Sequence, residues 1–215
     1  MERQERKFEI PRDEIKRILS RYQFKKHYPS RIVNSLYFDD ENLTSFTNSE
    51  EGVSPRNKFR LRWYGKHKFK SFQNLDKIDI ISFEQKVTDL FERRKYVSLV
   101  DNTDIEKTIN TLTSRVQLKP KIFISYSRKY FLNKNGIRGT LDRKILFADA
   151  SKRRISHLNR LNREVFELKF GLGLSPEQII SEVSSFETRF SKYCLAVNAL
   201  NEIKFRSTGR PSGKS

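Results

Sequence analysis

The chain has 215 residues, with 44 Lys and Arg against 26 Asp and Glu, a formal charge of +18; 36% hydrophobic and 12% aromatic residues are enough for a core and exclude wholesale disorder. No run approaches the roughly 18 apolar residues of a membrane span, the opening MERQERKFEIPRDEIKR has no apolar signal core, and the single Cys194 excludes a disulfide scaffold or a multi-cysteine metal site. The chain therefore reads as soluble, unprocessed and cytoplasmic, and its excess positive charge calls for a polyanion such as nucleic acid, anionic lipid or polyphosphate.

Arg3 to Ile10 alternates as a strand, and Pro11 stands at the first position of an amphipathic helix from Asp13 to Phe24. Arg31 to Asp39 (RIVNSLYFD) is β-branched and aromatic, and the cluster Asp39-Asp40-Glu41-Asn42 ends it and starts a helical turn, a capping role that outweighs a metal site there. After a polar loop, Asn48 to Pro55, Lys58 to Tyr64 and Ile80 to Val87 are strands separated by the Lys/Gln/Asn-rich stretch from Gly65 to Asp79. Asp104 to Val116 carries Ile105, Ile109, Leu112 and Val116 at helical spacing, and Pro120 follows it. Lys121 to Phe131, Ile137 to Asp142, Ile145 to Ala148 and Arg163 to Phe170 are further strands, with Asn135-Gly136 as a hairpin turn. Helices from Ser175 to Phe186 and from Phe190 to Phe205 precede a flexible tail, Arg206 to Ser215. The elements add up to one α+β domain over residues 1–205: an antiparallel sheet of about eight strands with helices outside, and a tail over 206–215.

Alternation splits each strand into two faces. Phe59, Leu61 and Trp63 share the apolar face of their strand, which leaves Lys58, Arg60, Arg62 and Tyr64 on the other. Glu84 and Lys86 share a polar face, and the same E-x-K pair recurs at Glu167 and Lys169 and at Glu5 and Lys7. Arg138, Thr140 and Asp142 form a fourth polar row. If such a sheet curls into a barrel with its apolar face against external helices, the polar rows line a charged channel. That channel is costly without a polyanion and a metal on the carboxylates.

In chain order, ERKFEIP, SLYFDDENL, KFRLRWYG, FEQK, FERRKY, PKIFISYSRKYF, GIRGTLDRKI, FELKF and SKY together resemble the polyphosphate polymerase domain of the vacuolar transporter chaperone (VTC) family, within the triphosphate tunnel metalloenzymes. The resemblance covers nearly the whole sequence. It implies an antiparallel β-barrel around a tunnel that binds ATP or another triphosphate and inorganic polyphosphate, with Mn²⁺ or Mg²⁺ as cofactor. By position in these motifs, Lys7, Arg60, Arg62, Lys86, Arg93, Lys95, Arg128, Arg138, Lys169 and Lys192 resemble the phosphate-binding residues. Arg60, Arg62, Arg128, Arg138 and Lys192 are the set implied for catalysis, and Glu167, with Glu5 and Glu84, for the metal. Arginine suits phosphate by its bidentate fork, and carboxylates suit hard cations that keep part of their shell for phosphates.

The sequence reads as a stand-alone version without membrane helices, so a membrane-protein partner for product export is implied only by the family. The implied activity is transfer of the ATP γ-phosphate to a growing polyphosphate chain, which asks for positioning and charge neutralisation rather than a covalent nucleophile. The alternatives are a metal-dependent tripolyphosphatase or nucleoside triphosphatase, with water oriented by Glu5, Glu84 or Glu167, and a non-catalytic polyphosphate- or nucleic-acid-binding module. Nucleic acid is the disfavoured partner, because Phe59, Leu61 and Trp63 oppose the arginines instead of interleaving with them. His27, His67 and His157 read as surface residues, Cys194 as core, and Gly213-Lys214-Ser215 as tail, since Thr208 stands where a phosphate-binding loop needs glycine.

Overall fold

The strand and helix patterns of the sequence appear in a computed structural model that describes residues 3–66, 75, 78, 80–89, 92–100, 105–151, 155, 157–171, 173–174 and 176–208. Its elements are β1 (Arg3–Phe8), α1 (Arg12–Arg21), β2 (Lys25–Asp39), α2 (Thr44–Glu50), β3 (Arg56–Tyr64), β4 (Ile81–Thr88), β5 (Arg93–Val100) and α3 (Ile105–Arg115). They continue with β6 (Lys119–Leu132), β7 (Arg138–Asp149), β8 (Asn159–Leu161), β9 (Val165–Gly171), α4 (Glu177–Val183), a 3-10 turn (Ser184–Phe186) and α5 (Lys192–Thr208). The sheet order is β1-β9-β7-β6-β2-β3-β4-β5, with the short β8 beside β7. The α+β class, with an antiparallel sheet of eight principal strands and helices outside it, is the one the strand patterns predict.

Several boundaries differ from the sequence reading. Strand β2 begins at Lys25, because its first seven residues are exposed and carry no burial alternation to mark them. β7 is one strand where two are expected: Lys144, at φ 52, lets the strand re-phase without ending. Pro11 is the N-cap of α1, its carbonyl accepting from Ile15 N at 3.0 Å. Helix α5 runs on through Thr208, into the expected tail. Residues 209–215, with Gly213-Lys214-Ser215, lie outside the described residues, as do His67 and most of 65–79.

Two compact units divide the chain. The first comprises Met1–Val33, Ser125–Leu146 and Arg160–Phe190. Its core joins Ile15 and Ile18 of α1 and Ile179 and Val183 of α4 to Phe8, Leu141, Phe166 and Leu168 on the apolar faces of the strands. Gly139 packs closely there: a Cβ at this position would lie 3.0 Å from the Phe166 ring, which would have to give by a few tenths of an ångström to admit a side chain. The β6–β7 hairpin turns at Asn135-Gly136 as predicted, with Gly136 at φ 80 and the Asn133 carboxamide oxygen accepting from Asn135 N and Ile137 N.

The second unit comprises Asn34–Ile124, Phe147–Asn159 and Ser191–Ser215. Helix α3 lays Ile105, Ile109 and Leu112 on a core of Leu36, Phe38, Leu61, Trp63 and Phe123, with Trp63 stacked on Phe123 at 5.9 Å. Burial of Leu61 and Trp63 confirms the facing read from β3. In both units helices cover the apolar face, and the charged side chains occupy the opposite one.

Candidate phosphate and metal sites

In the second unit the antiparallel register of β3, β4 and β5 aligns side chains in rows. Lys58 pairs with Lys86, and Lys86 with Lys95; one row further along, Arg60 pairs with Glu84. Glu84 is 4% exposed and accepts from Arg60 Nε at 2.7 Å, Arg60 Nη2 at 2.5 Å and Lys95 Nζ at 2.9 Å, with Arg62 Nη1 at 3.7 Å. Burial alone would raise its pKa, but the Arg60 and Arg62 charges and the Lys95 hydrogen bond hold it down at about 2. So Glu84, expected among the metal carboxylates, is ringed by Arg60, Arg62 and Lys95 and anchors their charged groups. Burial lowers the Lys95 pKa, and the Glu84 hydrogen bond opposes that shift. Arg93 lies at the start of β5, opposite Thr88. Lys192 opens α5, half-buried.

β2 and α5 supply what the sequence reading missed. Tyr37 Oη accepts from Arg60 Nη1 at 2.9 Å, Arg62 Nε donates to Ser35 Oγ at 3.3 Å, and the Tyr37 ring stacks on Tyr193 at 5.2 Å. Ser35, Tyr37 and Asp39 alternate along SLYFD, a same-face polar row that could have been read from the sequence. Asp39 is the capping residue expected: its carboxylate accepts from the backbone N–H of Asp40, Ser45 and Phe46 and from Tyr193 Oη, which leaves it no place for a metal. Cys194 is buried, and burial pushes its thiol pKa up, as a core cysteine requires. His27 and His157 are exposed, as read.

In the first unit the E-x-K pairs interlock. Antiparallel pairing of β1 with β9 sets Glu5 opposite Lys169 and Lys7 opposite Glu167, and β9 with β7 sets Lys169 opposite Arg138 and Glu167 opposite Thr140. Lys169 Nζ lies 2.7 Å from Glu167 Oε1 and 3.6 Å from Glu5 Oε2; burial lowers its pKa, but both carboxylates raise it further. Lys7 Nζ lies 3.2 Å from Glu5 and donates to the Phe190 carbonyl at 3.1 Å. Arg128 meets Asp142 through two hydrogen bonds, at 2.6 and 2.7 Å, lies over the Tyr126 ring at 5.4 Å and reaches Glu167 at 3.9 Å. Arg138 is exposed.

A divalent cation fits this donor set. Glu5 and Glu167 are hard carboxylates sharing one lysine, and Thr140 Oγ1, opposite Glu167, is buried with no hydrogen-bond partner. Among the described residues no group of three His, Cys, Asp or Glu residues forms a metal cage. A cation on Glu5 and Glu167 would therefore take its remaining oxygens from phosphate, as Mg²⁺ and Mn²⁺ do.

The VTC domain family matches the chain over residues 2–201. No curated protein matches it in sequence. The PH1819 protein of Pyrococcus horikoshii OT3 is similar in structure, with TM-score 0.54 and 12% identity, covering 92% of this chain and 99% of that one. A candidate adenylate cyclase of Vibrio parahaemolyticus matches with TM-score 0.53 and 11% identity over 90% of this chain and 97% of that one. The PH1012 protein of P. horikoshii OT3 matches with TM-score 0.51 and 15% identity, covering 89% and 97%. At such identities the likeness is one of fold.

Proposed function

The chain belongs to the VTC domain family, and from that premise we propose that it is a metal-dependent phosphotransferase that moves the γ-phosphate of ATP onto a growing inorganic polyphosphate chain. The observation that carries this reading is the row Lys58–Lys86–Lys95 beside Arg60 and Arg62, with Glu84 as the one carboxylate in their rows. Like charges directly opposed across strands destabilise a sheet. The E-x-K pairs of β1 and β9 avoid that cost by setting each Glu against a Lys. Across β3, β4 and β5 the register instead sets lysine against lysine, with Lys95 reaching along to Glu84 at 2.9 Å and Lys58 donating to Ser191 Oγ at 3.0 Å, and a polyanion with several charges in line suits such a row. A row of ammonium groups favours an extended phosphate chain over a single phosphate.

In this reading Arg60, Arg62, Lys86, Arg93, Lys95 and Lys192 bind phosphate oxygens, and Glu84 holds Arg60 and Arg62 in place. Glu167 and Glu5 would hold Mg²⁺ or Mn²⁺, which supplies charge neutralisation as the phosphoryl group departs. Lys7, Arg128, Arg138 and Lys169 add phosphate contacts of their own, with Asp142 fixing the Arg128 fork.

The test is incubation of the purified protein with ATP and Mn²⁺, followed by separate assays for long-chain polyphosphate and free phosphate. Long-chain product is expected. Free phosphate alone would replace the polymerase with a triphosphatase, triphosphate binding without turnover would leave a sensor, and no binding at all would overturn the reading.

A further inference from the structure

We infer that Tyr37 is a phosphate-binding residue: its hydroxyl donates a hydrogen bond to the phosphate that Arg60 and Arg62 hold, so the site binds a polyanion only while this phenol keeps its proton. The inference rests on the phosphate-binding reading of the arginine group and adds to it a residue of SLYFDDENL to which the sequence reading gave no role. Tyr37 is buried on β2, and its oxygen takes one hydrogen from Arg60 Nη1 at 2.9 Å. Among the described residues no hydrogen bond takes the phenol's own proton. A phosphate oxygen that accepts from Arg60 Nη1 stands within reach of that proton, and the phenol then closes a fork with the guanidinium.

The surroundings fix Tyr37 in this place. Its ring stacks on Tyr193 of α5 at 5.2 Å and 18°, Tyr193 Oη donates to buried Asp39 at 2.7 Å, and the Arg60 guanidinium lies over the Tyr37 ring at 5.7 Å. The charges that face it are Arg60 and Arg62 of β3 and Lys192 of α5; behind them, Glu84 of β4 is paired with Arg60, and Lys95 of β5 with Glu84. Burial would raise the phenol pKa, but those three cations bring it to about 8. A polyanion neutralises the same cations and forbids a second negative charge beside it, so binding drives the phenol back to its protonated form.

Tripolyphosphate binding is measured against pH by calorimetry for the wild type and Tyr37→Phe, which keeps the stacked ring. Wild-type affinity should fall by up to about tenfold per pH unit above about 8, with a proton taken up on binding in that range. The Tyr37→Phe profile should lack both features. Superimposable profiles would overturn the inference while leaving the phosphate site standing, whereas a wild type that does not bind at any pH would remove the phosphate reading itself. A titration of phenolate absorbance separates a structural role from a binding one. One tyrosine ionising near 8 should be missing from Tyr37→Phe and should move to higher pH when tripolyphosphate is added to the wild type. A phenol that is indifferent to tripolyphosphate would count against the inference.

Discussion

Arg128 and Asp142 form a two-pronged ion pair, at 2.6 and 2.7 Å, in which the aspartate is 1% exposed. The pair joins two of the quoted stretches in one contact: Asp142 of GIRGTLDRKI orients Arg128 of PKIFISYSRKYF. Burial would lower the Arg128 pKa, but Tyr126 and Asp142 drive it further up, so the guanidinium stays charged. Its fork, Nε and Nη2, is committed to Asp142.

Breaking the pair from one side leaves a buried charge uncompensated. Asp142→Asn should lower stability by about 3–5 kcal/mol. The double replacement Arg128→Met with Asp142→Leu should cost less than the single change, because it removes both charges together. Denaturant unfolding of the wild type, Asp142→Asn, Arg128→Met, Asp142→Leu and the double variant checks this, and a double variant as unstable as the sum of Arg128→Met and Asp142→Leu would show that the two residues do not act as a pair.

Glu84 ties stability to acid pH. Its folded pKa, about 2, lies below the ordinary 4.5, so its contribution is fully present above about 4.5 and is lost as pH falls toward 2. Other depressed carboxylates, among them Asp40 and Asp149, titrate in the same direction. The informative quantity is therefore the difference between wild type and Glu84→Gln. That difference should be largest near neutral pH and shrink through the acid range; a constant difference would mean that Glu84 acts through shape rather than charge.

The parts of this arrangement legible in the sequence are those set by alternation. Arg60 and Arg62 fall opposite Leu61 and Trp63 because strand side chains switch faces at every residue, and burial of Trp63 follows from that rule alone. Strand pairing is not legible in this way. That Lys58, Lys86 and Lys95 form a row, while Glu5 and Lys7 interlock with Lys169 and Glu167, depends on register, which no single strand encodes. The place of Tyr37 depends on Tyr193, a residue of α5 far along the chain, and the continuity of β7 on the left-handed backbone at Lys144.

The lysine row makes stability and binding respond in opposite directions. Lys86 lies between Lys58 and Lys95 in the register, so Lys86→Gln removes the central charge of the row. Thermal stability should rise, by roughly 0.2–1 kcal/mol, while polyphosphate affinity falls and its salt dependence flattens. A structural lysine would lose stability instead. If both stability and affinity fall, the row is held together by contacts of Lys86 and its charge is not kept for a ligand.

The metal prediction turns on Thr140, whose buried hydroxyl has no hydrogen-bond partner and lies opposite Glu167. An unsatisfied buried hydroxyl destabilises the protein without metal, so Thr140→Val should raise the unfolding temperature in the absence of divalent cations, by about 1 kcal/mol of stability. Glu167→Gln keeps the size of the side chain but removes the charge that attracts the cation. The shift of unfolding temperature on adding Mn²⁺ should therefore shrink in Thr140→Val and vanish in Glu167→Gln. Turnover of ATP should fall at least about a hundredfold in Glu167→Gln, while ATP binding without metal changes much less, because neutralisation matters most as the phosphoryl group departs. A full Mn²⁺ response in Glu167→Gln would move the cation away from β9. Equal loss of metal-free binding and turnover would make Glu167 a structural partner of Lys169, from which it lies 2.7 Å away.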